Sequence, residues 1–221
     1  MQISSRLKTI GDFIGNGETV IDVGADHGLL ELYLLSKYPN IKITAVENKI
    51  GPYKILENNL KGYKNITLSL SDGLKCLKED TNTIIIAGMG GLNIKSILNT
   101  SKDKIKYITK IVIDAHRDIE IARKTIVDFG FKISQEKIVY EQGKFYIVSE
   151  FLRAEEPQNY SLEMLEFGYK LYEDKLWSKY KEHLISENNK TIEKIKDISS
   201  MQDKVLSLKQ MNERLENYGK N

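Results

Sequence analysis

The chain has 221 residues, 33 Lys and Arg against 31 Asp and Glu, a net charge of +2, and 41% apolar residues, which fits one domain with an appendage or two small domains and gives total charge no claim on nucleic acid or membrane. The single cysteine, Cys76, excludes an internal disulfide framework, and no apolar run reaches the ~18 residues of a membrane helix. The first residues lack the apolar stretch of a secretion signal, so a cytoplasmic protein is expected.

The elements follow in chain order. Residues 3–14 are predicted to form a short helix, with Ile3, Leu7, Ile10 and Ile14 on one face. Val20, Ile21 and Val23 make a β-branched strand that runs into a turn with Gly24 and Gly28, and a helix-compatible segment, 29–35, follows. A strand at 41–46 precedes a helix at 52–61, and a strand at 66–70 follows. Thr83–Ala87 reads as a buried strand, Gly88-Met89-Gly90-Gly91 as the loop after it, and Leu92, Ile94, Ile97 and Leu98 as the next helix. A strand at 111–113 and a helix at 118–129 complete the alternation. Continuous apolar strands separated by helices predict a parallel sheet covered on both faces. Phe131–Val139 and Phe145–Leu152, joined by Glu141-Gln142-Gly143-Lys144, predict a closing antiparallel hairpin.

Pro157 marks the predicted boundary between a domain at 1–157 and a helical domain at 158–221. Past it, apolar residues recur at three- and four-residue steps (Leu162, Leu165, Tyr169, Tyr172, Leu176, then Ile195, Ile198, Met201, Val205, Leu208, Met211). This pattern predicts two long amphipathic helices joined near Glu187-Asn188-Asn189 and paired antiparallel like a coiled coil. Lysines 170, 175, 179, 181, 190, 194 and 196 leave two readings open, a solvated face or a substrate-grasping arm.

Four features stand at the carboxyl ends of successive strands, where open α/β sheets bind ligands. The first is Asp22-x-Gly24-x-Asp26-x-Gly28, in which Asp26 replaces the second glycine of a dinucleotide loop. Such an acidic turn is poorly suited to a pyrophosphate and suits a cationic ligand with hydroxyls and an amino-acid head group, which describes S-adenosylmethionine. The second is Glu47, followed by Asn48, a carboxylate placed to accept from two ribose hydroxyls. The third is Asp72-Gly73, an acceptor for an adenine amino group beside room for the ring. The fourth is Ala87-Gly88-Met89-Gly90-Gly91, a floor of exposed backbone groups on which a base can lie.

Absences narrow the acceptor. No Asn/Asp-Pro-Pro-aromatic motif follows the fourth strand, and Cys76 lacks the setting of a nucleophile. An acceptor with its own lone pair, such as an adenine ring nitrogen, needs neither device; catalysis then rests on positioning, with Asp26 and the Gly88 backbone available for electrostatic help. His27 reads equally as a base contact and as a helix cap, His116 as a polar loop residue and His183 as a surface one. No Cys/His cluster predicts a metal. A nicotinamide-dependent oxidoreductase and a non-catalytic RNA-binding protein are the competing readings. Asp72-Gly73 argues against the first, and the intact Asp22, Glu47 and Asp72 set argues against the second.

These residues resemble the TrmK family of bacterial tRNA adenine-N1 methyltransferases acting at position 22. The resemblance runs through Ser4-Ser5-Arg6-Leu7, Asp22 to Gly28, Gly51-Pro52, Asp72-Gly73-Leu74, Ala87 to Gly91 and Glu141-x-Gly143-Lys144-x-Tyr146. It implies a class I methyltransferase Rossmann-like fold, S-adenosyl-L-methionine as cofactor, tRNA as partner and a coiled-coil-like C-terminal domain. With it come Asp22, Gly24, Gly28, Glu47, Asn48, Asp72, Gly73, Ala87 and Gly88 as cofactor contacts, and Asp26, His27, Arg6, Gly88 and Met89 as catalytic candidates. Arg6 is expected to pair with a tRNA phosphate or orient the target base, with an ion pair to a nearby carboxylate as the alternative. No metal and no membrane are expected, and a monomer rather than a dimer. One departure stands out: Asp114-Ala115-His116 occupies the place of the family's Gln-Pro-Asn.

Overall fold

A computed structural model describes residues 3–220. Seven strands form one sheet: β1 (Thr19–Val23), β2 (Lys42–Glu47), β3 (Ile66–Leu70), β4 (Thr83–Met89), β5 (Lys110–Ala115), β6 (Phe131–Glu141) and β7 (Lys144–Arg153). Their order is β3-β2-β1-β4-β5-β7-β6. The first five pair in parallel, while β7 runs antiparallel to both β5 and β6. Central strands are buried on both faces, as their unbroken apolar runs require: Ile84, Ile85, Ile86, Ile111, Val112 and Ile113 have no exposed surface.

The helices lie between strands in sequence: α1 (Ser5–Asp12) before β1, α2 (Leu29–Lys37) before β2 and α3 (Ile50–Leu60) before β3. Then come α4 (Gly91–Thr100) and the single-turn α5 (Lys102–Ile105) before β5, and α6 (Ile119–Asp128) before β6. Ser4 caps α1 by accepting the Leu7 N–H, so α1 is shorter than the predicted 3–14. The predicted glycine loop after the fourth strand is a correction: β4 continues through Met89, with a register shift between Ala87 and Met89 and Gly88 at φ +75°. That is a bulge, which lets the strand continue past Gly88.

The chain divides into two compact units between Asn159 and Tyr160. The second holds α7 (Leu162–Phe167), α8 (Trp177–Ile195) and α9 (Gln202–Asn217), with 3-10 turns at Leu171–Glu173 and Ser199–Met201. Two expectations are corrected. Residues 158–176 are not a long helix, because Gly168 (φ +107°) ends α7 and a ring cluster follows. Phe167, Tyr172 and Trp177 stand 5.4–5.8 Å from the Tyr218 ring, whose hydroxyl donates to the Gly168 carbonyl. Nor does the chain reverse at Glu187–Asn189. α8 runs through these residues and the turn is at 196–201. Asn188 and Asn189 instead meet Asn212 across the α8–α9 seam, and Ile192, Val205 and Leu208 form its apolar core. Asparagines that read as a loop in sequence are satisfied by one another. Among the described residues no helix is long and apolar enough to cross a membrane, and no group of His, Cys, Asp or Glu could hold a metal ion.

Candidate active site

The sheet order reverses between β1 and β4, and two adjoining clefts open at the strand ends on either side of that point. The larger, about 420 Å³, is lined by Gly24, Glu47, Asn48, Lys49, Ser71, Asp72, Gly73 and Met89 and by Asn93, Ser96 and Ile97 of α4. The smaller, about 330 Å³, is lined by Arg6, Leu7, Asp22, Gly24, Asp26, His27, Ala87, Gly88 and His116, among others. Gly24 borders both clefts. A Cβ there would come within 2.7 Å of the Met89 methyl, and φ is +86°, so a side chain would both strain the turn and push on the divide.

The β1–α2 turn is held by backbone. The Gly24 and Ala25 N–H groups donate to the Val46 carbonyl at 2.8 and 3.0 Å, and the Gly28 N–H donates to Ala25 O. Asp26 adopts φ +50°, a left-handed conformation that aspartate tolerates better than most side chains. Its N–H donates to Glu47 Oε2 at 3.3 Å. Glu47 Oε1 accepts the N–H groups of Asn48 and Lys49 at 2.9 and 2.8 Å. One oxygen of this buried carboxylate is therefore saturated by backbone and the other is weakly bonded, and the residue lines the larger cleft.

Arg6 reaches from α1 to the end of β5. Its guanidinium pairs with Asp114 Oδ2 at 2.5 Å and stands 5.3 Å from the Tyr146 ring centre. His116 Nε2 lies 3.3 Å from the same Asp114 oxygen, and its ring meets Tyr146 edge-on. The ion pair with a nearby carboxylate, the alternative reading of Arg6, is present. Asp114 is fully buried, so it fixes Arg6 and His116 together at the rim of the smaller cleft.

Most of the sequence-chosen residues converge. Gly24, Glu47, Asn48, Asp72 and Gly73 meet in the larger cleft, and Asp22, Ala87 and Gly88 in the smaller, with Arg6, Asp26 and His27. Met89 borders the larger cleft rather than the one that gathers the other catalytic candidates. Gly28 lines neither; it opens α2 and packs against Leu56 and Leu60, which a Cβ would meet at 2.9 and 3.0 Å. His27 is exposed, 3.6 Å from Asp26, and does not cap α2. His183 is exposed on α8.

Sequence reasoning passed over two groups. The sequence favours His116 as a polar loop residue over one facing the substrate, yet it lines the smaller cleft. Glu31, in the first turn of α2, is fully buried beside Asp22. Desolvation pushes both carboxyls up, Asp22 to about 6 and Glu31 well above its ordinary 4.5; Asp22's charge raises Glu31 further, while the contact with Glu31 restrains the rise at Asp22. The available signal was one acidic residue inside Leu29-Leu30-Glu31-Leu32-Tyr33-Leu34-Leu35.

Comparison with known proteins follows the same lines. Residues 3–149 match the family described as a methyltransferase domain. The tRNA (adenine(22)-N(1))-methyltransferase of Bacillus subtilis is 28% identical over 152 residues, 67% of this chain; the match spans 64% of that protein's length. The crystal structure of the B. subtilis m1A22 tRNA methyltransferase TrmK shares the fold at TM-score 0.79 with 24% identity, covering 98% of each chain. A Streptococcus pneumoniae structure in complex with S-adenosyl-L-methionine superposes at TM-score 0.81 with 25% identity, over 98% of this chain and 99% of that one.

Proposed function

The chain belongs to the methyltransferase domain family, and on that premise we propose that it stands in the TrmK branch and transfers a methyl group from S-adenosyl-L-methionine to N1 of adenine 22 in tRNA. The observation that carries the reading is the pair of clefts meeting at Gly24. The residues fit the cofactor: the larger cleft offers the Glu47 carboxylate for a diol and Asp72 beside Gly73 for an adenine, and the smaller offers acidic Asp22 and Asp26 for a cationic head group. Bound there, the cofactor would supply an electrophilic sulfonium methyl.

The chain's own residues then act by placement. An adenine N1 attacks with its own lone pair, so no group has to remove a proton first. Gly88, at the bulge, leaves its backbone open beside the smaller cleft. Arg6 and His116, anchored by Asp114, form the wall that the target base meets. Asp26 and the Gly88 carbonyl face charge that develops on the methylated base. In this reading residues 1–157 catalyse, and the helical unit adds tRNA contacts. Two of its seven candidate lysines, Lys190 and Lys196, are engaged by Glu187 and Glu193.

The test is incubation with labelled S-adenosylmethionine and unmodified total tRNA, followed by nucleoside analysis. Label in 1-methyladenosine, mapped to position 22, is the expected result. Label in any other nucleoside, or none from a chain that binds the cofactor, overturns the substrate assignment.

A further inference from the structure

Two carboxyls stand side by side under the smaller cleft. Glu31 is fully buried, and neither of its carboxylate oxygens accepts a hydrogen bond from any donor among the described residues. Asp22, 4% exposed, lines the cleft directly. Among the described residues neither acid forms an ion pair with a Lys, Arg or His. The charged and titratable groups facing them are Asp26 and His27 in the turn, Arg6 of α1 and His116 after β5; Arg6 is engaged by Asp114. Two adjacent buried carboxylates without a cation cannot both ionise, so one must keep its proton. A helix that needed only packing at this position would be better served by leucine.

We propose that Glu31 is a positioning residue that keeps the proton of this acid pair and offers it to Asp22, so that Asp22 meets the smaller cleft as a carboxylate ready for the ammonium of an amino-acid head group. Burial favours this division of the proton, since Glu31 is the more deeply enclosed of the two and Asp22 alone touches the cleft. Removing the Glu31 donor leaves Asp22 desolvated and unassisted, so it holds its own proton to higher pH and loses the charge that attracts the ligand. The inference rests on the cofactor reading above.

The experiment is calorimetric titration of the full chain with S-adenosylhomocysteine, which carries the ammonium without the reactive methyl, from about pH 5 to about pH 8. His27 and His116 are unchanged in every variant, so a difference between limbs reports the acid pair. The wild-type chain binds with an affinity that falls on the acid side. In Glu31→Leu that acid limb moves up by about one pH unit, a roughly tenfold loss at pH values below both midpoints. Glu31→Gln keeps an N–H donor and keeps the wild-type limb. A Glu31→Leu limb that coincides with wild type, or a Glu31→Gln limb displaced as far as that of Glu31→Leu, overturns the proposal and leaves the cofactor site standing. Absence of binding by the wild-type chain at every pH overturns the cofactor reading itself. Melting curves at each pH check folding, and Glu31→Met serves in place of Glu31→Leu if the latter does not fold.

Discussion

Replacing Glu47 by glutamine tests ligand binding while keeping the two short backbone bonds that the side chain accepts. Glu47 Oε1 accepts two backbone N–H groups at 2.9 and 2.8 Å, and Oε2 accepts one at 3.3 Å. Alanine would strip all three donors at a buried site and loosen the strand end together with the ligand site. Glutamine keeps a carbonyl oxygen for Asn48 and Lys49 and turns Oε2 into an amide that only donates, giving up just the long 3.3 Å bond from the Asp26 N–H. A ribose diol then loses one or both charge-assisted hydrogen bonds, at about 1.5–3 kcal/mol each. A loss of about 2–3 kcal/mol lowers S-adenosylhomocysteine affinity roughly 30- to 150-fold. Calorimetry measures the affinity, and a melting curve confirms that the fold is retained. A Glu47→Gln chain that melts like wild type and binds within threefold of it would refute the assignment of this carboxylate to the ribose.

The acid pair makes stability depend on pH. Well below the unfolded Asp value of 3.8 the folded and unfolded chains are both protonated at these groups and the pair contributes nothing; as pH rises the unfolded carboxyls ionise first, so stability falls until Asp22 ionises in the folded chain too. With Asp22 pushed up to about 6, that loss is on the order of 3 kcal/mol. Urea melts of Glu31→Leu are expected to show higher stability than wild type at pH 8 and a flatter profile; an unchanged profile rejects the buried-pair account. Gly91→Ala would place a Cβ 1.9 Å from the Asp118 carbonyl oxygen, a backbone clash expected to cost about 3 kcal/mol and to lower Tm by about 6–12 °C. An unaltered Tm would show that the α4 start has room the geometry denies it. Arg6→Ala leaves the buried Asp114 carboxylate without its guanidinium and is expected to cost about 3 kcal/mol, most of it recovered in Arg6→Ala/Asp114→Asn. Losses that simply add in the double variant would mean the pair is not coupled. Affinity for tRNA is expected to fall steeply with salt, because phosphate neutralisation dominates such binding; a flat filter-binding profile contradicts that mode.

The parallel sheet, its closing hairpin and the strand-end positions of Glu47, Asp72 and Gly88 were legible in the sequence. Each depends on a local pattern: unbroken β-branched runs, glycines after strands, one carboxylate per strand end. The helical unit was read with its reversal in the wrong place. Asn188 and Asn189 break a pattern only if they lack partners, and Asn212, 24 and 23 residues on, supplies them. Met89 and the end of β4 read as loop because a bulge preserves strand pairing that glycines alone argue against.

By itself the sequence determined the fold class, the ligand side of the sheet and the acidic character of the first turn, since these follow from periodicity and residue type within short windows. Only the tertiary structure decided what Arg6, Asp114, His116 and Glu31 do. Arg6 meets Asp114 across 108 residues of chain, and that contact turns an exposed cation into an anchored wall. Glu31 lies nine positions after Asp22, yet it became an acid partner only when α2 packed against β1 and removed both carboxyls from water. Desolvation and long-range pairing depend on which surfaces meet in three dimensions, and no local pattern records that.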